Sequence, residues 1–93
     1  PNPFKPSSGQ TTSINYTLLD DADIKINIYD LSGRLVLVKI CNAGTEGGRF
    51  GENNVIWDGK SLYGDIQANG VYVYLITTTK GEVIGSGEIA IYE

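Results

Sequence analysis

The 93-residue sequence contains no histidine, no methionine and a single cysteine, Cys41. Histidine is the commonest general base and metal ligand, so its absence removes the usual route to acid–base catalysis. A lone cysteine excludes an internal disulfide and a multi-cysteine metal site, and Cys41 is most simply a small buried apolar residue. No segment approaches the roughly 20 apolar residues of a membrane-spanning helix. We therefore expect no enzyme, no catalytic residue, no metal site and no cofactor.

Basic residues are few and scattered. Seven Lys and Arg stand against eleven Asp and Glu, which gives a net charge of −4. Without a basic run the sequence does not indicate a nucleic-acid partner. The acidic cluster Asp20, Asp21 and Asp23 contains oxygen ligands that Ca²⁺ accepts, but it lacks the spacing of an EF-hand loop. Aspartates are also favoured in turns, so a solvated turn is the preferred interpretation.

Proline is confined to the start of the chain, where all three prolines lie within PNPFKP. Closely spaced prolines hold the backbone extended and cannot donate hydrogen bonds to a sheet. We predict that residues 1–10 are a linker or edge segment, with Phe4 available as an anchor. The remaining residues, 11–93, suit a single domain. The twelve glycines are about twice the usual share and indicate many tight turns.

No window shows a helical period, whereas apolar and polar residues alternate in several short segments. The predicted strands are 12–18, 24–30, 34–40, 54–58, 71–79 and 82–93. The glycine-rich span 41–54 is predicted as a long loop or a loosely paired edge. The segment VYVYLITTT begins apolar on both faces, which indicates a central strand. About six or seven short strands without a helix predict an all-β sandwich, with a small closed barrel as the alternative. The strand order stays open.

Trp57 is followed by Asp58 and Gly59, and two interpretations are possible. Asp58 beside an aromatic ring suits a general acid or base, but glycoside hydrolysis requires a second carboxylate at a defined distance. Nothing in the sequence pairs one with it. In the other interpretation Trp57 fills the core while Asp58 and Gly59 begin a turn. We prefer the core and turn.

Tyr72 and Tyr74 alternate with aliphatic residues along the predicted central strand. If their face is open, with Tyr29 or Tyr63 nearby, the rings form a flat surface on which sugar rings stack. Tyrosines in such positions are more often cross-strand neighbours that cover a sheet. Tyr72 and Tyr74 are therefore weak carbohydrate-stacking candidates.

Five segments, in order, carry a family resemblance: PNPF, IYDLSGRLV, NVIWDG, ANGVYVYLI and a closing G-x-I-A. Together they resemble the FlgD-type immunoglobulin-like domain and the related C-terminal sorting domains of type IX secretion. The resemblance implies an immunoglobulin-like sandwich near the C-terminus of a large extracellular or cell-surface bacterial protein. In the flagellar hook-capping protein such a domain belongs to an assembly scaffold; in sorting proteins it is recognised for export.

Two departures bear on the choice between these roles. Sorting domains often end with a basic residue, whereas this chain ends IAIYE, which favours a role other than sorting. Lys60 stands where the flagellar-type pattern more often has arginine, which changes little.

The resemblance and the composition lead to three functional hypotheses. The first is a non-catalytic accessory module, a spacer, docking or assembly element, at the C-terminal end of a secreted or surface protein. Its partners would be other domains of the same polypeptide, or surface or secretion machinery. The second is a type IX sorting signal, and the third is a carbohydrate-binding module with polysaccharide as its ligand.

Overall fold

Six β-strands and one 3₁₀ turn make up the computed structural model, which describes residues 2–93. None of the described residues forms a helix long and apolar enough to cross a bilayer. The 3₁₀ turn spans Pro6–Ser8, and the strands are β1 (Thr12–Leu18), β2 (Ile24–Asp30), β3 (Leu35–Cys41), β4 (Gly51–Trp57), β5 (Gly70–Thr78) and β6 (Val83–Ile91).

The strands form two separate antiparallel sheets. The small sheet pairs β1 with β4, and the large sheet has the order β3-β2-β5-β6. The two sheets enclose one apolar core, so the predicted all-β sandwich is confirmed. No closed barrel is formed by the strands described. The predicted central position of the VYVYLITTT segment is also confirmed, because β5 lies between β2 and β6.

The alternating residues of each strand explain the core. Ile24, Ile26 and Ile28 of β2 point inward and are fully buried, while Ile14 and Trp57 approach from the small sheet. Burying each such aliphatic side chain contributes about 1.5–3 kcal/mol relative to leaving it in water. The hydrophobic effect at alternate positions therefore fixes which face of each strand is turned inward.

The strand β4 is longer than predicted. It begins at Gly51, three residues before the predicted start at Asn54. Asn53 is 2% exposed, and its side chain accepts hydrogen bonds from the Gly47 and Arg49 N–H groups and donates to the Arg49 carbonyl. A buried polar residue that ties a loop to a strand supports β structure where the local sequence has low strand propensity.

The first residues of the chain run beside the free edge of β6. Phe4 forms a parallel bridge with Ile91, donates its N–H to the Ala90 carbonyl and accepts from the Tyr92 N–H. The Asn2 side chain donates to the Glu88 carbonyl and accepts from the Ala90 N–H. This segment takes the place of a seventh strand, although a single bridge is all that it forms. The domain boundary at residue 11 stays a prediction.

Candidate functional site

Trp57 lies in the core, as predicted. Its ring is fully buried and meets Phe4 and Tyr72 edge-on, with centroids 5.8 and 5.5 Å apart. The indole N–H donates to the Lys60 carbonyl at 2.9 Å. Asp58 accepts the Lys60 N–H at 3.1 Å, which makes an Asx turn. The carboxylate of Asp58 therefore shapes the turn, and the core-and-turn interpretation is confirmed.

Gly59 explains why this turn is so close to the core. Its φ is +79°, and a Cβ there would lie 2.5 Å from Cγ of Pro6 and 3.3 Å from Phe4. Only glycine suits both the left-handed backbone and this close approach. The Trp57–Gly59 segment thus holds the beginning of the chain against the sandwich.

The acidic cluster lies on the β1–β2 turn, and its carboxylates hold a loop. Asp21 accepts the Phe50 N–H at 2.7 Å, and Asp23 accepts the Ala43 N–H at 2.8 Å. The predicted exposed turn is confirmed for Asp20, Asp21 and Asp23. Among residues 2–93, no three acidic or cysteine side chains are grouped closely enough to share a metal ion.

Tyr72 and Tyr74 share the inner face of the large sheet. Tyr72 is 5% exposed and donates its hydroxyl to the Ala68 carbonyl at 2.6 Å. Burial raises the pKa of Tyr72 above its ordinary value. Tyr74 is partly buried against the core, directly over Gly87, where a Cβ would lie 2.4 Å from the Tyr74 hydroxyl. The carbohydrate-stacking role of both tyrosines stays a prediction, although Tyr72 offers no open ring face.

The other two tyrosines of that hypothesis lie elsewhere. Tyr29 is on the opposite, outward face of the large sheet, and Tyr63 is 86% exposed in the loop after β4. The structure therefore does not bring the four rings onto one surface.

Cys41 lies at the end of β3, beside Tyr16 and Gly47, and is half-buried rather than fully buried as predicted, because β3 is an edge strand. Burial raises the pKa of the Cys41 thiol. Tyr16 donates its hydroxyl to the Gly47 carbonyl at 2.7 Å. The pKa of Tyr16 is raised above its ordinary value, mainly by burial and to a smaller extent by the neighbouring Cys41. A Cβ at Gly47 would lie 2.4 Å from the Cys41 sulfur, so this cluster closes the end of the sandwich by tight packing.

The outward face of the large sheet, called here the outer face, is a surface that was not identified from the sequence. The pairing registers place on it alternate residues of all four strands. These are Leu35, Val38 and Ile40 of β3, Lys25, Asn27 and Tyr29 of β2, Val71, Val73, Leu75 and Thr77 of β5, and Val83, Ser86, Glu88 and Ala90 of β6.

Aliphatic side chains dominate the outer face, and its charges are Lys25 and Glu88 alone. The outward face of the small sheet is different: β1 presents Ser13, Asn15 and Thr17, and β4 presents Glu52, Asn54 and Ile56. An antiparallel sheet with one solvated face normally alternates apolar and polar residues. The small sheet follows this rule, whereas β5 is apolar on both faces, as in a sheet covered on both sides.

One polar side chain lies in the middle of the outer face. Asn27 pairs with Val38 on one side and Leu75 on the other. Its amide donates to the Tyr29 hydroxyl at 2.8 Å, while its Oδ1 is buried without a hydrogen-bond partner among residues 2–93. An unsatisfied buried acceptor costs about 1–3 kcal/mol. The unpaired Oδ1 of Asn27 is therefore a cost to the stability of the folded domain.

These features define a small all-β sandwich module with one polar and one apolar outward face. Among solved structures, the fold is similar to that of the crystal structure of FlgD from P. aeruginosa. The TM-score is 0.68 at 22% sequence identity, over 89% of this chain and 63% of that chain. The chain thus has a FlgD-like fold and spans less than two thirds of the FlgD chain. Neither a protein-family model nor a curated protein matches the sequence.

Proposed function

We propose that the domain is a non-catalytic accessory module that docks onto another protein surface through its outer face. The observation that carries this proposal is the contrast between the two outward faces of the sandwich. Contiguous apolar surface rimmed by polar residues is typical of protein interaction sites. Covering Val71, Val73 and Leu75 removes apolar area from water, which is the main favourable contribution to association.

The FlgD-like fold agrees with a structural or assembly role, since the FlgD-type resemblance implies part of a scaffold. A neighbouring domain of the same polypeptide, surface machinery or a second copy of the polypeptide would each cover this face.

The setting of the module is part of the proposal. The family resemblance supports a place near the C-terminus of a secreted or cell-surface bacterial protein. A fusion of residues 1–93 to a passive periplasmic reporter tests the sorting alternative. An accessory module leaves the reporter in the periplasm, whereas a type IX sorting signal carries it outside the cell.

Docking is tested by comparing hydrogen exchange in β5 between the isolated domain and the natural polypeptide that contains it. A bound surface stabilises the folded state by mass action, so exchange of the β5 amides is expected to be slower in the natural polypeptide. Val73→Lys introduces a charge into the outer face and is expected to abolish that difference.

The matched control is Thr17→Lys, which places the same charge on the outward face of the small sheet. It is expected to leave the difference in exchange unchanged. Two results contradict docking through the outer face. One is equal β5 exchange in the wild-type isolated domain and the wild-type natural polypeptide, and the other is an equal effect of Val73→Lys and Thr17→Lys.

A further inference from the structure

From the arrangement of the outer face we infer that its partner is a second copy of this chain, in a symmetric dimer. This inference rests on the docking function proposed above and names the partner of the same surface. The observations that carry it are the positions of the two charges of the face relative to Leu75, and the area of the face.

Lys25 and Glu88 lie on opposite sides of the outer face. Lys25 is on β2 opposite Thr77, and Glu88 is on β6 opposite Val73. Leu75 of β5 is half-way between them, because each charge lies on an adjacent strand, opposite a β5 residue that is two positions from Leu75. Both charged side chains are exposed. The only ion pair among residues 2–93 is Arg34–Asp30, so neither charge is paired within the domain.

This placement makes the face complementary to itself. A two-fold axis through Leu75, lying in the interface and perpendicular to the line from Lys25 to Glu88, exchanges the two positions. Each Lys25 then faces Glu88 of the second copy, and each Leu75 faces its counterpart on the axis. An interface of this kind is isologous and closes at two subunits. The strands of the two sheets cross steeply, as in orthogonal sheet packing.

The size of the face predicts a weak dimer. Four strands are about 19 Å wide, and the stretch from Val71 to Thr77 is about 20 Å long, which gives a footprint of roughly 400 Å² per copy. Stable interfaces bury about 800 Å² per partner, and smaller ones belong to transient complexes. Association is therefore expected to become measurable only at high concentration.

Sedimentation equilibrium of the 93-residue chain at low ionic strength, from about 10 µM to about 1 mM, tests the dimer. The average mass is expected to rise from monomer towards dimer, and Leu75→Lys is expected to abolish the rise. Lys25→Glu alone and Glu88→Lys alone each place like charges opposite one another, and each is expected to weaken association about tenfold. The double variant Lys25→Glu with Glu88→Lys restores both pairs and is expected to recover wild-type association.

Thr17→Lys serves as the control and is expected to associate like the wild type; circular dichroism confirms that every variant is folded. A wild type that stays monomeric to about 1 mM overturns the dimer, as does a dimer that Leu75→Lys leaves intact. A double variant that associates no more tightly than the single variants also overturns the dimer. In each case the docking function stands if Val73→Lys still abolishes the β5 exchange difference in the natural polypeptide. It fails as well if that difference is absent.

Discussion

The ring of Phe4 lies edge-on to the indole of Trp57, with centroids 5.8 Å apart and planes at 60°. Phe4 comes from the proline-rich beginning of the chain, and Trp57 ends β4. Both are fully buried. An edge-to-face aromatic pair contributes about 0.5–1.5 kcal/mol beyond the apolar area that it buries. This contact joins the first residues to the core of the sandwich.

Phe4→Ala is expected to lower the free energy of unfolding by about 3–5 kcal/mol, because it leaves a cavity beside Trp57. Urea denaturation followed by tryptophan fluorescence measures the change. The matched control is Phe50→Ala, since Phe50 is 69% exposed, and its expected effect is within about 0.5 kcal/mol. Equal effects of the two substitutions would show that Phe4 does not belong to the core in solution.

Trp57→Ala is expected to destabilise the domain by about 3–5 kcal/mol. The ring is fully buried between Phe4 and Tyr72, and its N–H bond to the Lys60 carbonyl fixes the following turn. Circular dichroism during denaturation gives the measurement. A loss below about 1 kcal/mol, as for an ordinary surface substitution, would place the indole at the surface.

Gly87→Ala is expected to cost about 1–3 kcal/mol, because the new methyl group overlaps the half-buried ring of Tyr74. A Cβ at Gly87 would lie 2.4 Å from the Tyr74 hydroxyl and 2.6 Å from the ring carbon that bears it. Gly85→Ala on the same strand is the control, since its Cβ meets only Ile76, at 4.0 Å. Thermal denaturation compares the two, and a Gly87→Ala variant as stable as Gly85→Ala would contradict the observed packing of Tyr74.

Asp30 predicts a pH dependence of stability. The carboxylate of Asp30 accepts hydrogen bonds from the Ser32 hydroxyl at 2.7 Å and from the Arg34 N–H at 2.9 Å. These bonds hold the pKa of Asp30 below its usual value, and the Ser32 bond has the larger effect. Because the pKa of Asp30 is lower in the folded state than in the unfolded state, its contribution to stability is fully present above the pKa of the unfolded state. The contribution is lost as the pH falls through the pKa of the folded state.

The difference in melting temperature between wild type and Asp30→Asn measures this contribution. It is expected to be constant near neutral pH and to shrink as the pH is lowered below the ordinary aspartate range. A difference that stays constant to acid pH would mean that the Ser32 and Arg34 bonds do not depend on the charge of Asp30.

The strands were predictable because their physical cause is local. Ile24, Ile26 and Ile28 alternate with polar residues, and the hydrophobic effect turns them to one side whatever the partner strand. The start of β4 was not predictable, because Gly51 and Asn53 have low strand propensity. Their strand structure depends on long-range pairing with Leu18 and Tyr16 of β1, and the Asn53 side chain also bonds the loop just before it.

The apolar outer face could not be predicted from the sequence. Valines at positions 71 and 73 correctly predicted a central strand, but a central position does not require an apolar outward face. Only the strand order brings Val38, Tyr29 and Val73 onto one surface, and strand order depends on long-range pairing that no local pattern encodes. Tyr72 and Tyr74 were likewise predicted to share a face. Whether that face is the inner or the outer one could be known only from the strand pairing.

Solvent accessibility of the Val73 and Leu75 methyl groups is a direct test of docking through the outer face. A soluble paramagnetic probe broadens the NMR signals of exposed methyl groups, with the Ile56 methyl on the small sheet as the internal reference. In the dilute isolated domain all three are expected to be accessible. In the natural polypeptide, Val73 and Leu75 are expected to become protected while Ile56 stays accessible; equal broadening of all three there would contradict the account.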